Sequence, residues 1–271
     1  MLKKIYIALS AVIAAASLFF LNGWNKLWAI AVFVCSLAAI TLLHFVFALA
    51  SSFFLKKEMP KSYARFCWWF LEQSCDIILD LCRVKVNVTG GDKLPKESRF
   101  LFVCNHRSNL DPIVVLSLFK GLHLAFICKP EVFKIPAAGP YLRRCGFTDI
   151  DRQNARNALV TINAASEMLK SGDYSVGVYP EGTRSKEGIL LPFHDGVFKI
   201  AQKAGVPIVV ASIDGTEKVK HRAPVASTEV KLNILGVLES EPGVRVRSHD
   251  LADAAREMIT ASLYIPAEQV I

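Results

Sequence analysis

Two long stretches of this sequence lack charge altogether. Residues 5–21 and residues 27–55 contain no Asp, Glu, Lys or Arg. An apolar helix needs about 20 residues to cross a bilayer, so both stretches approach or exceed the length of a membrane span. We therefore predict a membrane-anchoring helical hairpin over residues 1–57, with its turn at residues 22–26. This part of the chain also accounts for most of the mean hydropathy of +0.35.

Basic residues flank the predicted hairpin at both ends and are scarce in its turn. Lys3 and Lys4 precede it, four Lys and Arg residues lie between positions 56 and 65, and the turn holds only Lys26. The positive-inside bias then predicts that both ends of the hairpin face the cytoplasm, and we expect the rest of the chain on the cytoplasmic side of the cell (inner) membrane. Two alternatives remain open: a secretory signal peptide over residues 1–20, and a monotopic hairpin that enters one leaflet only.

The sequence also lacks the short motifs that are typical of redox or metal-binding cysteines, of serine nucleophiles and of nucleic-acid-binding modules. None of its seven Cys residues forms a C-x-x-C pair, which favours reduced thiols in a reducing compartment. No G-x-S-x-G motif exposes a serine nucleophile. No nucleic-acid-binding module accompanies the net charge of +8, so this charge better suits an anionic leaflet and phosphate-bearing substrates.

The sequence does contain N-H-R-S-N-L-D-P at residues 105–112. An apolar run at residues 99–104 predicts a strand before it, and a helix follows with Pro112 at its first position and Asp111 as its N-cap. The turn between them can bring the Asp111 carboxylate onto the His106 ring, where it would fix the tautomer and stabilise the imidazolium. A base without an adjacent nucleophile suits deprotonation of a substrate hydroxyl, which then attacks an acyl donor directly.

A second motif, Y-P-E-G-T-R-S, occupies residues 179–185. It follows an apolar, β-rich run at residues 174–179, which places it in a loop at the end of a strand. Gly182 lets the backbone approach a ligand, Arg184 offers a planar fork for a phosphate, and the neighbouring hydroxyls add donors. These features predict an anion-binding loop. The alternative is a surface turn with a solvated Arg.

Four blocks in this order resemble the lysophosphatidic acid acyltransferase (1-acylglycerol-3-phosphate acyltransferase) family of His-x4-Asp lysophospholipid acyltransferases. Besides the two motifs above, the blocks are G-F-T-D-I-D-R at residues 146–152 and V-P-I-V-V-A at residues 206–211. The resemblance covers roughly residues 85–240. It implies transfer of a fatty acyl group from acyl-CoA or acyl-carrier protein to the 2-hydroxyl of 1-acylglycerol-3-phosphate, giving phosphatidic acid in phospholipid biosynthesis. It implies no metal and no cofactor beyond the acyl thioester co-substrate.

The resemblance assigns roles to individual residues of this chain. His106 is the general base and Asp111 orients it. Pro207 belongs to the block linked to the acyl-binding region, and Lys129 matches a recurrent basic position. The residues that match the positions binding the glycerol phosphate of the acceptor are Arg152, Glu181, Gly182, Thr183 and Arg184.

Two departures from the family pattern leave the acceptor open. Asp149 stands where the family usually has an apolar residue, and His194-Asp195 stands where two basic residues are common. Part of the usual positive field is missing, although His106, Asp111 and Arg184 are unchanged. The alternatives are therefore another lysolipid acceptor, a thioesterase that uses the same base to activate water, and a non-catalytic lipid-binding membrane protein of the same fold.

The remaining sequence predicts one α/β domain over residues 84–271, built on a mixed sheet with helices on both faces. Six strands alternate with helices, the clearest of which spans residues 155–170. Residues 58–83 predict an amphipathic linking helix at the headgroup level, with a core helix of the domain as the alternative. The basic run at residues 218–222 either helps to hold the acyl donor or is a solvated loop.

Overall fold

A computed structural model describes residues 1–20, 26–55, 64–96, 99–150, 155–185, 188–240 and 246–264. Its first two elements are the helices α1 (Leu2–Phe20) and α2 (Lys26–Ser52), which pack against each other. Both are long and apolar enough to cross a membrane. The two predicted apolar helices are confirmed, and most of the predicted turn lies outside the described residues.

The third helix, α3 (Arg65–Leu81), belongs to the core of the domain. Trp68 is 1% exposed and Phe70 is 5% exposed, and both pack in the larger of two hydrophobic clusters. Only part of the helix, such as Phe66 at 52% exposure, faces outward. The core-helix alternative is therefore the one that the structure shows, and the separate amphipathic linking helix over residues 58–83 is not observed. Residues 58–63 lie outside the described residues.

Polar contacts join the two apolar helices to α3. Each ring nitrogen of His44 is hydrogen-bonded to a hydroxyl. Tyr6 Oη lies 3.0 Å from Nδ1, and Ser74 Oγ lies 2.9 Å from Nε2. Lys3 Nζ lies 2.6 Å from the Asp80 carboxylate. Packing and hydrogen bonds therefore attach α1 and α2 to the rest of the domain.

Seven strands form one mixed sheet in the order β1-β7-β6-β2-β5-β3-β4. β6, β2, β5, β3 and β4 are parallel, β7 is antiparallel to β6, and β1 is parallel to β7. The six predicted strands are confirmed, and β4 was missed because two residues carry no readable period. The strands are β1 (Val84–Thr89), β2 (Leu101–Cys104), β3 (Leu124–Cys128), β4 (Thr148–Asp149), β5 (Ser175–Val178), β6 (Ile208–Asp214) and β7 (Thr228–Leu238).

Helices cover both faces of the sheet, as predicted. Along β2, Phe102 and Cys104 pack in the cluster with α3, whereas Leu101 and Val103 pack in the other. Burial on both faces explains why the central strands are continuous apolar runs, and each fully buried large side chain contributes about 1.5–3 kcal/mol. The remaining helices are α4 (Asp111–Leu118), α5 (Ala138–Arg144), α6 (Ala155–Lys170), α7 (Lys199–Ala204), α8 (Val219–Arg222) and α9 (Ser248–Tyr264).

One edge of this sheet gathers the segments that carry the motifs. The carboxyl ends of the parallel strands β6, β2, β5 and β3 meet there, together with the amino ends of β7 and β1. N-H-R-S-N-L-D-P follows β2 and Y-P-E-G-T-R-S follows β5, its adjacent strand. Ligands of open α/β sheets bind outside the carboxyl ends of the strands, so this edge is the place to look for a site.

Candidate active site

His106 and Asp111 form a hydrogen-bonded pair at the end of β2. His106 Nδ1 lies 2.7 Å from Asp111 Oδ2, and the Asp111 side chain is fully buried while that of His106 is 18% exposed. Since a neutral imidazole that donates from Nδ1 carries its lone pair on Nε2, this pairing makes Nε2 the basic atom. No described residue hydrogen-bonds Nε2. The predicted dyad geometry is thus present, with the basic nitrogen free for a substrate.

The Asp111 carboxylate is held by more than the imidazole. Oδ2 also accepts the backbone N–H groups of Arg107 at 2.6 Å and Ser108 at 2.8 Å, and Oδ1 accepts the Thr216 hydroxyl at 2.5 Å. The predicted N-cap role of Asp111 is wrong. Helix α4 begins at Asp111 itself, and the carboxylate makes no cap bond to this helix because it turns back to the preceding loop. Those loop contacts fix the carboxylate that orients His106.

Thr216 is a functional contact that sequence reasoning missed. It lies 105 residues from Asp111, at the start of the short 3₁₀ turn Thr216–Lys218 that follows β6. Gly215 precedes it with φ of +91°, and a Cβ there would stand 2.5 Å from the backbone oxygen of Glu229. No local motif reveals this contact, since only the sheet order brings the end of β6 beside the end of β2.

Tyr179, the first residue of the second motif, stacks on the His106 ring. The ring centroids are 4.3 Å apart with an interplanar angle of 17°, and Phe126 stacks on Tyr179 at 5.2 Å. Burial, followed by the nearby Asp111 charge, raises the pKa of the Tyr179 phenol well above its usual value. The stack therefore presents a neutral aromatic face, which holds the plane of the imidazole.

Glu181 connects the two motifs through the main chain. Its Oε1 accepts the His106 N–H at 2.6 Å, and its Oε2 accepts the Leu191 N–H at 2.9 Å. The backbone N–H of Ser185 also donates to the His106 carbonyl at 2.9 Å. Burial raises the pKa of Glu181, and these two backbone donors oppose the rise. Both carboxylate oxygens of Glu181 thus accept a backbone hydrogen bond, and one of these bonds positions His106. Direct binding of an acceptor by Glu181 stays a prediction.

The rest of the second motif forms an open tip. Gly182 adopts φ of +70° in a turn closed by its N–H to the Tyr179 carbonyl at 3.0 Å. The turn leaves the Thr183 and Arg184 side chains exposed, and neither makes a hydrogen bond or ion pair with a described residue. A cation and a hydroxyl that have no partner among the described residues are suited to bind an anionic group.

Three other predicted site residues lie in different places. Lys129 directly follows β3 and is exposed at the same edge of the sheet as His106. Pro207 precedes β6 at the opposite edge, about 20 Å along the strand, so the structure does not bring it to the dyad. Arg152 lies outside the described residues.

Arg107 is a further cation within the first motif that sequence reasoning passed over. Its side chain is 10% exposed and lies 3.7 Å from the Asp214 carboxylate. Gly188, with φ of +76°, packs so closely that a Cβ would stand 2.8 Å from Arg107 Nη1. The Arg107 side chain therefore lies between Gly188 and Asp214 at the end of β6.

An apolar cleft of about 230 Å³ opens beside Gly182. Ile127, Ile162 and Val178 contribute to its walls, and His194 and Asp195 also line it. The two unusual residues noted in the sequence thus border the site. Among the described residues, no three His, Cys, Asp or Glu side chains are grouped as metal ligands would be.

Comparison with known proteins matches this arrangement to a family. Residues 85–214 match the model of the Acyltransferase family. The chloroplastic 1-acyl-sn-glycerol-3-phosphate acyltransferase of Brassica napus is 35% identical over 182 residues, which are 66% of this chain and 51% of that protein. The protein of the same name from Borreliella burgdorferi is 29% identical, over 52% of this chain and 55% of its own length. The chain thus spans about half the length of these curated relatives.

A solved structure shares the fold along nearly the whole chain. The crystal structure of the 1-acyl-sn-glycerophosphate acyltransferase PlsC from Thermotoga maritima superposes with a TM-score of 0.63 at 23% identity and covers 96% of both chains. The matched region of the family model contains both motif loops described above. Residues 85–214 are therefore similar to the Acyltransferase family, and nearly the whole chain shares the fold of this solved structure.

Proposed function

We propose that this protein transfers a fatty acyl group from a thioester, acyl-CoA or acyl-carrier protein, to the 2-hydroxyl of 1-acylglycerol-3-phosphate, making phosphatidic acid. The observation that carries this proposal is the bond of 2.7 Å between His106 and the buried Asp111, with Nε2 left free. No described Ser, Thr or Cys side chain hydrogen-bonds His106. Such a base serves a hydroxyl that the substrate brings.

The reaction follows from this geometry in one direct transfer. His106 Nε2 removes the proton of the acceptor hydroxyl as its oxygen attacks the thioester carbonyl carbon. The carbon–sulfur bond then breaks, and the imidazolium returns its proton to the leaving thiolate. Asp111 stabilises the imidazolium while it exists, and the Tyr179 face adds a cation–π contribution.

The second motif supplies the binding end for the acceptor. Arg184 offers a guanidinium fork to the phosphate, with Thr183 beside it, and Lys129 adds positive charge at the same edge. Arg152 completes the proposed set. The apolar cleft next to Gly182 suits an acyl chain, because its walls are mostly aliphatic side chains.

A second candidate, acylation of a different lysolipid, is favoured by one observation. Asp195 lines the cleft beside Gly182 of the second motif. A carboxylate at this place disfavours a doubly charged phosphate and favours a head group that carries an amine. The base and its partner would act in the same way on either acceptor.

The apolar helices support a place for this reaction at a membrane. Both α1 and α2 have the length and composition of spans, and basic residues flank them. We place the protein in the cell (inner) membrane with the catalytic edge on the cytoplasmic side, where acyl thioesters and lysolipids meet. Lysophospholipid, the acyl thioester and membrane lipids are its partners.

The decisive experiment is an acyl-transfer assay of the purified full chain. Labelled acyl-CoA and acyl-carrier protein are each supplied with a panel of lysolipids, and phosphatidic acid is the expected product. His106→Ala should lower kcat by about 10³-fold or more while the protein stays folded, because a general base and its proton transfer are lost. His249→Ala, an exposed His on α9, is the matched control.

Each contrary result has a distinct meaning. Acylation of an amine-bearing lysolipid in place of lysophosphatidic acid would establish the second candidate. Release of free fatty acid without an acceptor would identify a thioesterase, and retention of most activity by His106→Ala would rule out the mechanism.

A further inference from the structure

A second cleft, of about 340 Å³, opens at the same edge of the sheet on the other side of the dyad. The volume lies within the usual range for small-molecule sites, about 300–1,000 Å³. Its walls come from the amino ends of β1 and β7 and from the segment after β6. The lining residues are Lys85, Lys218, Arg222, Ser227, Thr228 and Glu229.

The cations of this cleft have no anionic partner among the residues that the structure describes. Lys85, Lys218 and Arg222 form no ion pair with any described carboxylate, although Glu229 lines the same cleft. Arg222 Nε donates to the Ser227 carbonyl at 3.0 Å, which fixes the guanidinium and leaves its other N–H groups available. The cleft therefore carries a net charge of about +2, from three cations and one carboxylate.

Thr228 adds an independent sign of a missing ligand. Its side chain is 2% exposed, and its hydroxyl oxygen has no hydrogen-bond partner among the described residues. Buried polar groups are normally satisfied, so a hydroxyl in this state points to a bound group that the protein itself does not supply. A phosphate oxygen accepts a hydrogen bond from a hydroxyl and salt bridges from Lys and Arg at once.

The cleft is close to the catalytic pair. Lys218 ends the 3₁₀ turn whose first residue, Thr216, donates to Asp111. β7 lies two positions from β2 in the sheet, so an anion in the cleft sits roughly 10–15 Å from His106, given a strand spacing of about 4.8 Å. This is a distance that a pantetheine arm spans without full extension.

We propose that this cleft binds the phosphate of the acyl donor, the group that joins the pantetheine arm to the nucleotide of CoA or to the serine of a carrier protein. The inference rests on the proposed function in taking a thioester as donor. The acceptor phosphate has Arg184 on the β5 side of the dyad, whereas this cleft lies on the β6 and β7 side. The two substrates would thus reach His106 from opposite directions.

Kinetics of a double variant test the assignment. Lys218→Ala/Arg222→Ala should raise the KM for acyl-CoA by ten- to a hundredfold, because two charge-assisted contacts to phosphate are lost. The KM for the lysolipid and kcat at saturating donor should stay within about twofold. Lys170→Ala/Arg247→Ala removes the same charge from exposed positions outside the cleft and should leave all three values unchanged.

Binding without turnover separates this inference from the proposed function. Calorimetric titration of the full chain with CoA, 4′-phosphopantetheine and pantetheine should show that the two phosphate-bearing ligands bind more tightly. The double variant should lose this difference even if lysophosphatidic acid is not the acceptor. Titration with a carrier protein, with and without its phosphopantetheine, distinguishes the two donor sources.

Several results would overturn the assignment. The first is that the double variant keeps the donor KM and the CoA binding of the original protein. The second is that only its KM for the lysolipid is raised. The third is that it is no longer retained on phosphatidylglycerol vesicles but binds CoA normally. If the double variant does not fold, Thr228→Val replaces it, since the change removes the unpartnered hydroxyl and keeps its shape. This variant should stay folded and bind CoA several-fold more weakly; unchanged binding would overturn the assignment.

Discussion

The two motif loops at the carboxyl edge differ in how many of their polar side chains are hydrogen-bonded to other described residues. In the loop after β2, the Asp111 carboxylate accepts two backbone N–H groups and a hydroxyl besides the imidazole. In the loop after β5, Glu181 is equally engaged, but the Thr183 and Arg184 side chains are exposed and make no bond to a described residue. In the proposed function, the protein thus organises His106 before the substrate arrives and leaves the tip with Thr183 and Arg184 for the substrate to organise.

This difference separates reaction type from substrate choice in the proposed function. Two of the bonds to the Asp111 carboxylate come from main-chain N–H groups, which any side chain at positions 107 and 108 would also provide, and Thr216 supplies a third from its hydroxyl. The tip depends on exposed charge, which neighbours such as Asp195 alter directly. A change near the tip should therefore alter acceptor preference more than it alters His106.

The largest effect should come from Asp111→Asn. An amide has one acceptor oxygen, so its NH2 group must replace either the oxygen that accepts from His106, Arg107 and Ser108 or the one that accepts from Thr216, and in both orientations the charge that stabilises the imidazolium is lost. We expect kcat to fall by about 10³–10⁴-fold and the unfolding free energy by about 1–3 kcal/mol. Steady-state kinetics and chemical denaturation measure the two changes.

Asp214→Asn is the matched control, because Asp214 lies at the same edge but is 45% exposed and only 3.7 Å from Arg107. It should change kcat by less than about threefold, because Asp214 contacts Arg107 at long range and is not hydrogen-bonded to His106 or Asp111. If Asp111→Asn kept kcat within tenfold of the original value, the loop after β2 would not be the preorganised one.

A smaller effect should follow from Arg184→Gln. Loss of the guanidinium should raise the KM for lysophosphatidic acid by about 10–100-fold, leave the donor KM unchanged and leave the melting temperature unchanged, because the side chain is exposed. Arg247→Gln is the control. A monoacylglycerol acceptor, which lacks phosphate, should be used equally by the original protein and the variant; a deficit with this acceptor would contradict a phosphate-binding role.

The smallest effect should come from Tyr179→Phe. This change keeps the stacked ring and removes a buried hydroxyl that has no described partner. Activity should stay within about twofold, and stability should be unchanged or higher by up to about 1 kcal/mol. Tyr179→Leu should lower kcat by about tenfold through loss of the aromatic face. If the Phe variant were inactive, the hydroxyl would take part in the reaction.

The fold was largely predictable because burial on two faces leaves long apolar runs. Six strands and the helix α6 follow from such runs, and a glycine marks the end of that helix. β4 was missed because it has two residues, and the face of α3 that packs in the core resembles an interfacial helix in sequence. Aromatic and apolar side chains serve both environments, so composition alone cannot separate them.

The site was predictable only where its contacts are local in sequence. The His106 and Asp111 pair lies within one turn, and its spacing can be read directly. Thr216 reaches Asp111 through the sheet order, which no short motif records. The N-cap prediction for Asp111 was wrong because the rule considers only the following helix, whereas the preceding loop competes for the same lone pairs.

The bonds of His44 to Tyr6 and Ser74 and of Lys3 to Asp80 also bear on how a lipid would reach the site in the proposed function. If α1 and α2 lie in the membrane as proposed, their contacts with the core would hold the carboxyl edge of the sheet at one height above the bilayer. A lysolipid would then have to rise a set distance from the leaflet to reach His106. Removal of α1 would also uncover the face of α3 that it contacts.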